Sequence, residues 1–107
     1  MTIYGARPEG FDWDRGNREK CQKHGVPLVE IELVLSGDAR IAPDLKHSDA
    51  EDRYIAVGRD SQGRAMFVAF TLREKGGRRL FRPVSARYMH EKEVDAYEEK
   101  ESSKVKE

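Results

Sequence analysis

Between residues 53 and 88 three strand-length runs rich in apolar residues are separated by two clusters of turn-forming residues. Arg53 to Arg59 carries Ile55 and Val57 at a period of two. Arg64 to Arg73 carries Met66, Val68 and Phe70, and Leu80 to Tyr88 is a third such run. A period of two puts successive side chains on opposite faces of a strand. Gly76-Gly77 joins the second and third runs, and a two-residue hairpin turn with positive φ at both central positions selects such a pair. Ser61-Gln62-Gly63 joins the first and second. The segment therefore predicts three long antiparallel strands in sequence order.

Turn geometry predicts a register. A two-residue turn at Gly76-Gly77 pairs Phe70 with Pro83 and Met66 with Arg87. A turn centred on Ser61-Gln62 pairs Arg59 with Arg64 and Val57 with Met66. One face then holds Ile55, Val57, Met66, Val68, Phe70 and Phe81, with Arg53, Arg59, Arg64 and Arg87 at its margins. The other holds Tyr54, Ala65, Phe67, Ala69, Leu80, Arg82, Val84 and Tyr88. Both faces are partly apolar, so both are expected to be covered. A one-residue slip exchanges the faces. Pro83 lacks an N–H, so the last strand is expected to be an exposed edge or to bulge there.

Helical signals flank this segment. Phe11-Asp12-Trp13-Asp14 reads as an extended entry that pins an aromatic into the core, and Asp14 suits the N-cap of a helix from Arg15 through Asn17, Cys21 and His24. Gly25 stops it. Pro27 suits the first turn of a second helix, where its missing N–H has no partner to lose. Leu28, Ile31, Val34 and Leu35 follow at helical spacing, and Ser36-Gly37 ends the run. Ala39 to Pro43 is a short strand, Asp44 to Asp52 a polar loop, and His90 to Lys100 a last helix anchored by Val94 and Tyr97. The fold class is α+β: an antiparallel sheet of three long strands plus one or two short ones, packed against two N-terminal helices, with a C-terminal helix. Residues 11–100 form the domain, 1–10 a flexible lead and 101–107 a frayed tail.

The chain has 107 residues and no net charge, but its charges are segregated. Residues 1–52 have 7 Lys and Arg against 11 Asp and Glu, residues 53–90 have 9 against 2, and residues 91–107 have 4 against 7. The strand-forming segment is thus a basic patch of net +7 in an acidic setting, able to hold a polyanion despite overall neutrality. The single cysteine, Cys21, excludes an intramolecular disulfide and a cysteine-rich zinc site. No stretch is long and apolar enough to span a membrane, and the N-terminus lacks a basic start followed by an apolar run. A cytoplasmic protein without a membrane contact is expected.

Several short motifs occur in a definite order: Phe11-Asp12-Trp13-Asp14, Lys23-His24-Gly25-Val26, Asp44-Leu45-Lys46-His47-Ser48, Arg53-Tyr54-Ile55-Ala56-Val57-Gly58, Ser85-Ala86-Arg87, then Glu91 and Glu93 before Tyr97-Glu98-Glu99. In this order they resemble the BrnT toxins over about residues 11–99. The resemblance implies a fold similar to RelE-type ribonucleases, metal-independent RNA cleavage that stops translation, and no cofactor. It also implies neutralisation by a BrnA-like DNA-binding antitoxin, and a possible homodimer within that complex. Two positions depart from the family pattern: Pro27 replaces a serine-type cap, and Pro83-Val84 replaces two β-branched residues.

RNA cleavage without metal needs a group to activate the 2′-hydroxyl, charge to stabilise the phosphorane, and help for the leaving oxygen. Histidine suits the first task and the arginine fork the second. Lys23, His24, Arg53 and Arg87 are the catalytic candidates. Lys23 and His24 also suit a helix C-terminus by charge alone, and Arg53 and Arg87 also suit an ordinary charged surface. Arg64, Arg82, Tyr88, His47 and Glu51 are RNA-binding candidates. Arg82 falls on the face opposite Arg87 unless Pro83 introduces a bulge. Asp44 and His47 are two donors and do not make a metal site. Glu91 is a candidate to pair with Arg87 and hold it. An alternative function is a catalytically inactive homologue that docks an antitoxin. A plain RNA-binding domain is disfavoured for lack of paired exposed aromatics, Tyr54 and Phe67 being the nearest approach.

Overall fold

The structure, a computed structural model, describes residues 7–47 and 50–105, with the backbone alone for residues 100–105. In chain order it contains α1 (Arg15–Gln22), α2 (Leu28–Ser36), β1 (Arg40–Pro43), a 3₁₀ turn at Leu45–His47, β2 (Tyr54–Arg59), β3 (Ala65–Lys75), β4 (Arg78–Tyr88) and α3 (Glu91–Val105). The strands form one sheet in the order β1-β2-β3-β4, antiparallel throughout. The fold is α+β with three long strands and one short one, as expected. Helix α3 runs past the expected end at Lys100 to Val105.

The hairpin forms where glycine permits it. Gly76 and Gly77 have φ of 57° and 76°, and Lys75 pairs with Arg78 across them. The β2–β3 connection differs from expectation. Arg59 pairs with Ala65, not Arg64, so Val57 faces Phe67 and not Met66. The cause is Asp60, whose carboxylate is nearly buried. Its Oδ1 accepts from the N–H groups of Gln62 and Arg64, and its own N–H donates to the Arg64 carbonyl. A buried carboxylate that needs these donors closes a loop one residue longer than the assumed turn.

The β3–β4 register begins as expected, with Phe70 opposite Pro83, and then shifts. Ala69 faces Ser85, so Val84 is the extra residue of a bulge and Met66 faces Tyr88, not Arg87. Pro83 has no N–H to give to the ladder. Its carbonyl instead accepts from Nδ2 of the buried Asn17 at 2.9 Å. The bulge moves Arg87 to the face that carries Arg82, and moves Tyr88 off it.

The two shifts sort the side chains differently from the predicted register. The inner face carries Tyr54, Ala56, Met66, Val68, Phe70, Phe81 and Ala86, which pack with Cys21, Val26, Ile31, Val34 and Leu35 as the core. α1 lies on β4 and α2 on β2. Gly58 permits the close approach of α2: a Cβ there would lie 3.0 Å from Val34 Cγ1 and 3.2 Å from Ala39 Cβ. The outer face carries Ile55, Val57, Phe67, Ala69, Thr71, Arg82, Ser85 and Arg87. No described helix is seen to pack across its middle, yet Ala69 and Thr71 there are buried. α3 reaches one end, where Val94 and Tyr97 line a groove with Val57, Ala65 and Leu33.

The outer edge of β4 is occupied by the N-terminal segment. The Glu9 and Asp12 N–H groups donate to the Arg79 and Phe81 carbonyls, and Phe81 N–H donates to the Gly10 carbonyl. Phe11 stacks on Phe81 at 5.5 Å between ring centres. Pairing therefore reaches back to Glu9, two residues before the expected start of the domain.

Candidate functional site

The basic segment puts its arginines on the outer face because positions 53, 82 and 87 share one side of the sheet once the bulge is counted. Arg87 emerges between Ser85 and α3. Its two terminal nitrogens donate to the two carboxylate oxygens of Glu93, both at 2.8 Å. Its guanidinium carbon stands 5.0 Å from the centre of the half-buried Phe67 ring. Glu93 Oε1 also accepts from the His90 N–H at 2.9 Å, the side-chain half of a capping box that starts α3. The Arg87 fork and, after it, the His90 N–H pull the Glu93 carboxyl down to about 2. A second arginine at this end, Arg59, pairs with Glu98 of α3 and donates to the Gly63 carbonyl.

At the other end Arg82 is held by two carboxylates, Asp14 at 2.7 Å and Asp12 at 3.2 Å, and Lys75 also reaches Asp12 at 2.9 Å. The Lys75 hydrogen bond, reinforced by Arg82, holds the Asp12 carboxyl below the usual range despite burial. Arg73 pairs with Glu51. Arg53 precedes Tyr54, whose partner is Phe70, so it stands level with Thr71. Its carbonyl accepts from the Asp44 N–H at 2.7 Å. Asp44 Oδ2 in turn lies 2.9 Å from His47 Nδ1, and His47 is exposed. A carboxylate beside Nδ1 favours the neutral tautomer that keeps its proton on Nδ1.

The structure brings some sequence candidates together and separates others. Arg53, Arg82 and Arg87 share the outer face, and His47 with Glu51 lies in the loop beside Arg53. Four positions of β3 separate the level of Arg53 from that of Arg87, roughly 13 Å along a strand. Lys23 and His24 are exposed at the end of α1, on the helical side of the sheet, away from these arginines. Arg64 and Tyr88 lie on the inner-face side, reversing their expected relation to Arg87 and Arg82. The Arg64 guanidinium stacks 3.6 Å above the Tyr88 ring, and the Tyr88 hydroxyl donates to Asp60 at 2.8 Å. Burial and the Asp60 charge both push the Tyr88 phenol up. The fork of Arg87 is taken by Glu93, while Glu91 is exposed in the first turn of α3.

Four residues with evident work here were not singled out for it in the sequence: Glu93, Phe67, Asp60 and Asn17. Glu93 follows His90 at the spacing of a capping box, and Asp60 precedes a Ser-Gln-Gly turn; both are local signals. Phe67 and Asn17 depend on register and packing. Among the described residues no three His, Cys, Asp or Glu side chains gather to hold a metal ion, and no helix is long and apolar enough to cross a membrane. A family model described as the ribonuclease toxin BrnT of type II toxin–antitoxin systems matches residues 13–93. No curated protein matches the chain.

Proposed function

The chain belongs to the BrnT family of type II toxin–antitoxin ribonucleases, and from that premise we propose that it binds and cuts RNA on the outer face of its sheet, without a metal. The observation that carries this reading is the shared placement of Arg53, Arg82 and Arg87 on the face that no described helix crosses. At their separation Arg53 and Arg87 serve different positions along a polyanion, not one phosphate. Phe67 beneath Arg87 offers a ring on which a base stacks.

In this reading the reaction centre lies at the Arg53 end. His47, oriented by Asp44, takes the 2′-hydroxyl proton on Nε2. The 2′-oxygen attacks phosphorus and the bond to the 5′-oxygen breaks; a water gives the departing 5′-oxygen its proton, His47 returns the 2′-proton to solvent, and the products are a cyclic phosphate and a 5′-hydroxyl. Arg53 stabilises the charge that builds on the phosphorane oxygens. Lys23 and His24, on the other side of the sheet, take no part. The fold is RelE-like, the cut RNA stops translation in the cytoplasm, and a BrnA-like DNA-binding antitoxin neutralises the toxin in a complex where the toxin dimerises.

Expression of the chain alone should arrest growth, and Arg87→Ala should relieve the arrest at equal protein level. With EDTA present, purified protein should cleave RNA, and His47→Ala should slow cleavage on the order of 10²-fold or more. Undiminished toxicity in a folded Arg53→Ala/Arg87→Ala protein would overturn the site. Intact RNA beside a tight antitoxin complex would select the inactive, antitoxin-docking homologue.

A further inference from the structure

The arginine that the outer face offers to RNA is already occupied by a carboxylate of the same chain. Glu93 engages both terminal nitrogens of Arg87 with the two-oxygen geometry that a phosphate would use. Five residues further along the helix, Glu98 engages Arg59. Both acids belong to α3, which carries Glu91, Glu93, Asp95, Glu98 and Glu99 in its first nine positions. Val94 and Tyr97 of α3 line one groove with Val57, Arg59 and Ala65 at the end of the sheet.

We propose that α3 is an acidic cover that competes with RNA phosphates for Arg87 and Arg59, so that RNA binding releases this helix from the sheet. The proposal rests on the outer face being the RNA site and adds its regulation. Two features make the cover displaceable. The Arg87–Glu93 side chains are each 38% exposed and the Arg59–Glu98 side chains 52% and 57%, so solvent weakens both pairs. Among the described side chains of α3, the apolar ones facing the groove, Val94 and Tyr97, are only half-buried. A cover of this kind lowers apparent affinity by the fraction of molecules in which it is open.

The test uses the full chain and a labelled single-stranded RNA with 2′-O-methyl riboses, which cannot be cut through the 2′-oxygen. Glu93→Gln removes the charge and keeps an acceptor for the His90 N–H, since glutamine serves in a capping box. It should bind the RNA about threefold more tightly than the wild type, and Glu93→Gln/Glu98→Gln about tenfold more tightly. Glu99→Gln, with the same charge change on the same helix, should bind nearly as the wild type does. RNA should also speed amide hydrogen exchange across residues 91–99 of the wild type. Weaker binding by folded Glu93→Gln would make Glu93 a residue that positions Arg87 and overturn the cover. Equal gains from Glu99→Gln and Glu93→Gln, or unchanged exchange in α3 at saturating RNA, would overturn it too, while the RNA site stood. No binding by any of the proteins would remove the RNA site and the cover together.

Discussion

Cys21 is fully buried between α1 and the sheet and belongs to the core. Burial pushes its thiol up from 9.0 to about 11. The folded chain thus keeps the thiol protonated where the unfolded chain has lost the proton. A group raised in the folded state contributes stability that is complete below the unfolded value and is lost as pH rises through the folded one. Urea unfolding of the wild type should therefore lose about 2–3 kcal/mol between pH 9 and pH 11 beyond any loss shown by Cys21→Ala. Parallel pH profiles for the two proteins would refute this. The opposite logic holds for Asp60. Burial works against its charge, but the Arg64 N–H, the Tyr88 hydroxyl and the Gln62 N–H outweigh burial and hold it below the usual range. Its anion sets the β2–β3 register.

At the scale of elements, the bulge in β4 decides which side chains share a face, and α1 holds the bulge. Asn17 Nδ2 donates to the carbonyls of Asp12 and Pro83, and its Oδ1 accepts from the Asp14 N–H. One amide thereby ties the helix start, the N-terminal segment and the bulged strand. Asn17→Ala leaves those groups without their partner inside the protein and should cost about 2–3 kcal/mol in denaturant unfolding. A loss below about 0.5 kcal/mol would mean that surrounding groups replace the amide. Gly58 is the matching constraint under α2, where a Cβ would press on Val34 and Ala39. Gly58→Ala should destabilise by about 1–3 kcal/mol in the same measurement.

At the scale of the whole molecule, zero net charge and a basic sheet coexist because most acidic residues lie in the segments that flank the strands, residues 1–52 and 91–107. Ion pairs between the two sets, Arg82 with Asp14 and Arg87 with Glu93, join those flanks to the sheet. RNA binding should then report the local face and not the global charge. The slope of log K against log salt should be about −2 for three phosphate contacts on a single strand, and Arg87→Ala should make it shallower by about 0.7. A slope near zero would argue against a phosphate-binding face. Together with the overall neutrality, a slope of about −2 would locate the polyanion site on one surface of the molecule.

The strands, the Gly76-Gly77 hairpin, the two N-terminal helices and the family motifs were legible in the sequence, because period, turn chemistry and caps are properties of neighbouring residues. The choice of face was not. It turned on a buried carboxylate at Asp60 that lengthened one turn and on an amide at Asn17 that received the Pro83 carbonyl, 66 positions away. Because side chains alternate along a strand, each single-residue shift carried the arginines and aromatics beyond it to the opposite side. The sequence by itself therefore determined a basic three-stranded centre in an acidic, neutral chain. Only the tertiary structure decided that Arg53, Arg82 and Arg87 share one face, that Lys23 and His24 lie behind it, and that Glu93 closes on Arg87.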